Sequence, residues 1–288
     1  MATEMAKIPM PRPIPKPGNG FTNSAAPAVA APAKTFALIN PPAVVGHRVG
    51  IYGPGGSGKT TLATLAPGPV AVVDADDSLA VLGAQVKVVP VNNYGDLRLA
   101  LRAPIWDGIR TIVLDSATAI EEWVIAWTLA NVPHEKGHSI KRIEDYGFGK
   151  GLQHIYDSFM PLLADLDTHV KAGRNVVLVM HDCTTTVPNP TGDDYLRYEP
   201  RLQSPNSGKN SIRLRVREWL DHLIFIGYDI AAKDKKATGS GSRTFWPTEQ
   251  AHCMAKSRRI ADSMEYVQGD DTLWRALMPE QYPASDAE

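Results

Sequence analysis

Short apolar runs on consecutive positions recur along the chain and set its architecture. They fall at Arg48–Gly53, Val70–Asp74, Thr111–Asp115, 175–180 and 223–227. Consecutive apolar positions predict strands buried on both faces, because neighbouring side chains point to opposite sides of a sheet. Between these runs the period changes. Over 152–170, Leu152, Ile155, Tyr156, Phe159, Leu163 and Leu166 recur three and four apart, which predicts an amphipathic helix. Strands alternating with helices predict an α/β fold with a mostly parallel, twisted sheet flanked by helices. Two further runs, 243–246 and 252–256, read as edge or antiparallel strands.

The ends differ from this core. In residues 1–34, Pro9, Pro11, Pro13, Pro15 and Pro17 alternate and an Ala/Pro stretch follows. Proline at that density forbids helix, and few large apolar side chains offset the cost of ordering, so a disordered, flexible arm is expected. Residues 35–278 are expected to form the domain, and 279–288 a polar tail.

Composition narrows the class. The chain of 288 residues is 43% hydrophobic and 21% charged, ordinary globular values. Its 30 Lys and Arg against 31 Asp and Glu give a net charge of −1, which excludes a globally basic nucleic-acid binder but not local basic loops. No apolar run approaches the roughly 20 residues of a membrane helix. The N-terminal segment has no apolar h-region, so no secretory signal is expected. Cys183 and Cys253 alone make neither a disulfide framework nor a structural zinc site. A reducing, cytoplasmic setting is the expectation.

One segment carries specific chemistry. Gly53-Pro54-Gly55-Gly56-Ser57-Gly58-Lys59-Thr60 matches the phosphate-loop pattern G-x-x-x-x-G-K-[ST] without a mismatch, and Thr61 continues into a helical stretch. The glycines let successive backbone N–H groups face one anion. Lys59 is expected to face solvent and reach the β- and γ-phosphates of ATP, and the Thr60 hydroxyl to ligate Mg²⁺. Asp115 ends the run 111–115 and is the expected second metal ligand. An Asp at that point also reads as a helix N-cap, and both roles can hold.

Two segments extend the pattern into a resemblance. Val72-Val73-Asp74-Ala75-Asp76-Asp77 resembles the strand end of RecA-type recombinases, where a Glu polarises the attacking water; here the matching residue is Asp76, one methylene shorter. Val113-Leu114-Asp115-Ser116 resembles that family's second nucleotide segment, and the run 176–180 ends at His181, where the family carries a polar γ-phosphate sensor. His181 also reads as an ordinary strand-end histidine. The whole chain resembles a small phage RecA-like ATPase family that includes single-strand annealing proteins. The resemblance covers roughly 44–260 and implies a RecA-like P-loop NTPase core. It gives catalytic roles to Lys59, Asp76, Asp115 and His181. Lys256-Ser257-Arg258 resembles the short basic motif by which such proteins reach a neighbour's γ-phosphate, which implies self-assembly as ring or filament. The family's adenine-stacking aromatic has no match, since Gly83 falls near its place. Phe21-Thr22-Asn23-Ser24-Ala25 loosely resembles the Phe-x-x-Ala motif that docks one recombinase subunit on the next, with Ser24 in place of Ala.

Two polar segments stand where RecA-like proteins carry DNA loops. The first, 131–151, mixes Lys136, Lys141, Arg142 and Lys150 with Tyr146 and Phe148, against Glu135, Glu144 and Asp145. The second follows Asp182. Its stretch from Tyr195 holds Arg197, Arg201, Lys209, Arg213, Arg215 and Arg217 against Glu199 and Glu218, with Tyr198 among them. Cations with interleaved aromatics suit single-stranded DNA, because phosphates pair with the charges and bases stack on the rings. The alternation of Arg213, Arg215 and Arg217 also suits one face of a strand. The expected function is ATP-driven assembly on single-stranded DNA for annealing or recombination, with a single-strand-binding or replication protein as a further partner. The alternative is a helicase-loader or motor-type ATPase whose loops contact a protein. The discriminating observation is whether bare single-stranded DNA raises ATP turnover.

Overall fold

The computed structural model describes residues 45–82, 86–233 and 236–282. The expected arm at 1–34 with its Phe21 segment, Gly83 and the end of the tail lie outside them. In chain order the elements are β1 (Arg48–Gly53), α1 (Lys59–Thr64), β2 (Val70–Asp74), α2 (Leu79–Leu82), β3 (Lys87–Val88) and α3 (Tyr94–Arg102). Next come β4 (Thr111–Asp115), α4 (Ala117–Asn131), α5 (Lys150–Lys171), β5 (Asn175–Val187), β6 (Tyr195–Pro200) and α6 (Ile212–Trp219). The chain ends with β7 (His222–Lys233), β8 (Lys236–Trp246), β9 (Met264–Glu265) and α7 (Thr272–Leu277).

The strands form one sheet in the order β3-β2-β4-β5-β1-β7-β8-β9, and β6 pairs with the extension of β5. From β3 to β7 the pairing is parallel; β7–β8, β8–β9 and β5–β6 are antiparallel. This is an α/β core with a mostly parallel sheet between helices, as expected. The consecutive apolar runs are explained by its two cores. Tyr52, Val73, Ile112, Leu114, Val176 and Leu178 face α3, α4 and α5 through Leu97, Ile120, Phe159 and Leu166. The alternate residues Ile51, Val72, Val113, Val177 and Val179 face α1 and α7 through Leu62, Ala63, Leu273 and Trp274. Each such fully buried large side chain contributes about 1.5–3 kcal/mol from burial alone. α5 matches the expected 152–170 helix and buries Ile155, Phe159, Leu162, Leu163 and Leu166.

Several expectations need correction. The second polar segment is not an open loop. β5 runs past Met180 to Val187 and turns into β6, so 182–200 is a hairpin. Its β-branched Thr184, Thr185, Thr186 and Val187 favour that extended ladder despite their polarity. Arg213, Arg215 and Arg217 lie on a helix, α6, whose buried face is Ile212, Val216 and Trp219. Ser211 caps its start by accepting from Leu214 N. Residues 252–256 form isolated bridges rather than a strand: Cys253 with Tyr198 and Gln250, and Lys256 with Leu223. The polar tail begins as a tied segment, since 279–281 form a 3₁₀ turn and Gln281 bonds Asn175 on β5. No described helix is long and apolar enough to cross a membrane.

Candidate nucleotide site

Register decides what gathers at the C-terminal edge of the parallel strands. Gly53 pairs with His181, and Asp74 with Asp115. The loop after β1 therefore lies beside the outgoing part of β5, with the ends of β2 and β4 next in line. That edge is where open α/β sheets bind ligands.

The loop's carbonyls are held from outside. Lys59 Nζ donates to Gly53 O and Pro54 O, each at 2.8 Å. Tyr228 Oη on β7 donates to Gly56 O at 2.9 Å. Arg243 Nη1 on β8 donates to Ser57 O at 2.9 Å, and Tyr266 Oη, just after β9, to Gly58 O at 3.2 Å. Carbonyls turned outward leave N–H groups for the concave side, the geometry of an anion nest. Gly58 has φ +92°, and a Cβ there would stand 2.5 Å from Tyr266 Oη, so glycine is required on both counts. Ser57 Oγ is buried and has no hydrogen-bond partner among the described residues. A nest with an unpartnered hydroxyl and a lysine fits a polyphosphate.

Lys59 departs from expectation. Its residue is only 7% exposed, because the ammonium folds back onto the loop carbonyls. Burial lowers its pKa, opposed by the charges of Asp182, Asp115 and Asp76.

Asp115 is 2% exposed. Burial pushes its carboxyl pKa up; the Thr60 and Ser78 hydroxyls beside it oppose that, while Asp76 and Asp74 add repulsion. A buried carboxylate next to Thr60, with other acids close by, is a donor set that a hard divalent cation satisfies. Thr60 and Asp115 would hold it. Asp115 is not the helix cap: Ser116 takes that role on α4, accepting from Ala119 N at 3.2 Å.

Asp76 Oδ2 lies 3.2 Å from His181 Nε2. That bond is the main cause lowering the Asp76 pKa, against partial burial and with help from Ser116. The Asp76 backbone N–H is anchored on Asp115 O at 3.3 Å, and the His181 N–H on Thr118 Oγ1 at 3.0 Å. Lys59, Thr60, Asp76, Asp115 and His181 thus converge on one edge. Asp74, adjacent in sequence, serves instead as the turn acceptor for Ser78 N and Leu79 N.

The AAA domain family matches residues 46–259, a span that includes Lys59, Thr60, Asp76, Asp115 and His181 and ends before Tyr266. The chain belongs to that family. Among solved structures, a KaiC-like protein from the hyperthermophilic archaeon Pyrococcus horikoshii OT3 is similar at 15% identity and TM-score 0.44, over 79% of this chain and 88% of that one. No curated protein matches the sequence. Membership of the AAA domain family, with the phosphate-loop motif at Gly53–Thr60, identifies a P-loop ATPase core, and that family uses nucleotide and Mg²⁺ in general.

The remaining expected residues of this AAA domain lie elsewhere. Lys256 bridges Leu223, near the start of β7, at the opposite end of the sheet from the phosphate loop. Its Nζ donates to Arg217 O, Glu218 O and Leu220 O, closing the C-terminal end of α6. Arg258 lies at the same end, 66% exposed, and pairs with Asp221 at 3.3 Å. Neither is brought to this chain's own loop.

The residues expected to contact DNA divide. Arg197 is 11% exposed and pairs with Glu199 and with Glu249, the latter at 2.5 Å. Arg213 also pairs with Glu199, and Arg217 with Glu249 at 2.7 Å. The charge excess of this stretch is therefore smaller than its own sequence suggests, because Glu249 arrives from outside it. Arg201 and Lys209 are exposed. Tyr195 opens β6 opposite Val187. Tyr198 is 40% exposed and stacks on Phe225 at 5.2 Å. Both rings line a cavity of about 710 Å³ with Trp246, His252 and Pro54 of the phosphate loop. In the first polar segment Lys150 is tied to Glu135, Tyr146 is buried, and Phe148 is fully exposed.

Sequence reasoning missed Tyr228, Arg243, Tyr266 and Thr118. Their contacts to the loop and to His181 are tertiary, and no local motif marks them.

Proposed function

We propose that this AAA domain binds and hydrolyses ATP with Mg²⁺ and uses that cycle to act on single-stranded DNA, in annealing or recombination. The observation that carries the reading is the course of β5. One strand presents His181 opposite Gly53 of the phosphate loop and then continues into the hairpin that carries Tyr195, Arg197 and Tyr198. A group that responds to the γ-phosphate is thereby joined by rigid backbone to an exposed aromatic ring.

In this reading the loop amides and Lys59 hold the phosphates, and Thr60 and Asp115 hold Mg²⁺. Asp76 orients water, with His181 fixing its carboxylate. Bound MgATP supplies the phosphoanhydride whose hydrolysis drives the cycle. Arg201 and Lys209 contact DNA phosphates, and Tyr198 offers its ring to a base. Arg258, at the far end of the sheet, exposed and held among the described residues only by Asp221, is placed to meet a neighbouring copy; Lys256 is less so, since three carbonyls already hold it. Assembly as ring or filament belongs to this reading.

A second reading has its own support. Leu196 on the hairpin is 66% exposed, and Phe148 stands fully in solvent. Leu196 beside the ion-paired Arg197, with Phe148 exposed on a separate segment, suits a protein partner, as in a helicase-loader or motor-type ATPase. ATPase assays with bare single-stranded DNA separate the two. Stimulation by DNA alone supports the first, and its absence at low salt supports the second.

A further inference from the structure

Arg243 stands out among the arginines near the phosphate loop. Among the described residues it pairs with no carboxylate. Its Nη1 is committed to Ser57 O, its Nη2 reaches Gln268 Oε1 at 3.5 Å, and its guanidinium lies over the Tyr266 ring, 4.4 Å from the centroid. Tyr266 is itself fixed, 4% exposed, packed on Phe245 and bonded to Gly58 O. One face of a planar cation is thus covered by a rigid ring, and the residue remains partly exposed.

Topology gives this pair a direction. In the sheet order, β4 with Asp115 and β5 with His181 lie on one side of β1; β7, β8 and β9 lie on the other. Lys59 binds the carbonyls that open the loop, Gly53 and Pro54; Arg243 and Tyr266 bind those that close it, Ser57 and Gly58. Lysine of this motif serves the β- and γ-phosphates. A nucleotide whose terminal phosphate faces Asp115 and Asp76 therefore extends its nucleoside away from β4 and β5, toward β8 and β9. Arg243, on β8, lies on that side.

We propose that Arg243, backed by Tyr266, is the stacking platform for the base of the bound nucleoside triphosphate. The inference rests on the nucleotide reading above and adds the residue that recognises the nucleoside end. A guanidinium already stacked on a phenol presents a flat, pre-oriented face that lysine does not reproduce.

Calorimetric binding of MgATP and of magnesium tripolyphosphate tests it, on the full chain and on three variants. Arg243→Ala and Arg243→Lys are expected to weaken ATP about tenfold or more, since base stacking is lost in both, and to change tripolyphosphate affinity by less than about threefold. Tyr266→Phe keeps the ring beneath Arg243 and removes only the bond to Gly58 O, so any loss it causes is expected to be equal for the two ligands, with circular dichroism confirming the fold; a loss confined to MgATP counts against the platform. Equal loss of both ligands in Arg243→Ala overturns the proposal in favour of a loop brace. So does ATP affinity retained by Arg243→Lys, which would make Arg243 a simple charge. If the parent protein binds neither ligand, the nucleotide reading itself fails, and this proposal with it.

Discussion

His181 Nε2 stands 3.2 Å from Asp76 Oδ2, a contact that ties the turn after β2 to the middle of β5 across the end of β4. It holds the proposed water-orienting carboxylate in one place and couples it to the strand that becomes the hairpin. The imidazole–carboxylate bond restricts where the short Asp76 carboxylate stands, and a fixed carboxylate loses less orientation than a free one.

Asp76→Asn is therefore expected to leave nucleotide affinity intact and to slow hydrolysis by ~10²–10⁴-fold, the usual contribution of a positioned base. His181→Ala is expected to slow it less, since Asp76 keeps its backbone anchor on Asp115. Single-turnover kinetics alongside equilibrium binding separates the two effects. An unchanged rate in Asp76→Asn assigns the water to another residue.

Lys59→Ala tests the phosphate loop. The ammonium is buried against Gly53 O and Pro54 O, so its removal ends two charge-assisted bonds while relieving a desolvated charge. The net stability change is expected to stay below about 2 kcal/mol. Binding of ATP and its turnover are expected to disappear. A folded Lys59→Ala protein that still hydrolyses ATP contradicts the phosphate-loop assignment.

Glu121 gives the domain a pH dependence. It sits on α4, one turn after Thr118, and its Oε1 accepts Gln203 N at 2.8 Å from the segment between β6 and α6. Burial raises its pKa from 4.5 to about 7, against the pull of Gln203 N and of Arg213 and Arg201. A carboxyl raised on folding stabilises fully below its unfolded value, and that contribution declines as pH climbs from about 4.5 through about 7. Glu121→Gln keeps an acceptor for Gln203 N and removes the titration. Urea unfolding at pH 5 and pH 8 is expected to show a smaller pH-dependent loss in the variant, by on the order of 1–3 kcal/mol. An identical loss in both proteins places the titrating group elsewhere.

The hairpin region predicts a shallow salt dependence. In the proposed function, with Arg197, Arg213 and Arg217 engaged by Glu199 and Glu249 and Arg215 paired with Glu218, Arg201 and Lys209 are expected to carry the phosphate contacts. At about −0.7 per contact on single strands, the log–log slope should be roughly −1.4. Replacing Arg201 and Lys209 with Ala should flatten it. Tyr198→Ala should cost roughly 1–3 kcal/mol of affinity at unchanged slope if a base stacks there. A slope unmoved by the double substitution assigns the contacts to other cations.

The strands that hold the site were legible because each needs only local information: a buried parallel strand is a short apolar run, and the loop after β1 is a motif. Thr60 lies in the loop and Asp115 and His181 close such runs, whereas Asp76, two residues past the run 70–74, was marked only by the resemblance; the structure brings the four to one sheet edge. The hairpin was not, because Thr184–Thr186 and the alternating Tyr195, Arg197 and Glu199 pair only with one another across a turn, and polarity disguised them as loop. Arg197 looked like a free cation because its partner Glu249 is distant in sequence. Lys256 looked like a finger toward a neighbour for the same reason: the end of α6 that it closes is defined by folding. The buried state of Lys59 followed from the loop's own curl, which returns the Gly53 and Pro54 carbonyls to the side chain.

The central claim is that nucleotide at the phosphate loop governs single-strand binding through β5. Fluorescence anisotropy of a labelled single strand, at low salt, with and without a non-hydrolysable ATP analogue, tests it most directly. The parent protein is expected to bind at least tenfold more tightly with the analogue, and Lys59→Ala to show no such difference. Binding that is absent in both conditions, or equal in both, contradicts the claim and leaves the protein-partner reading in its place.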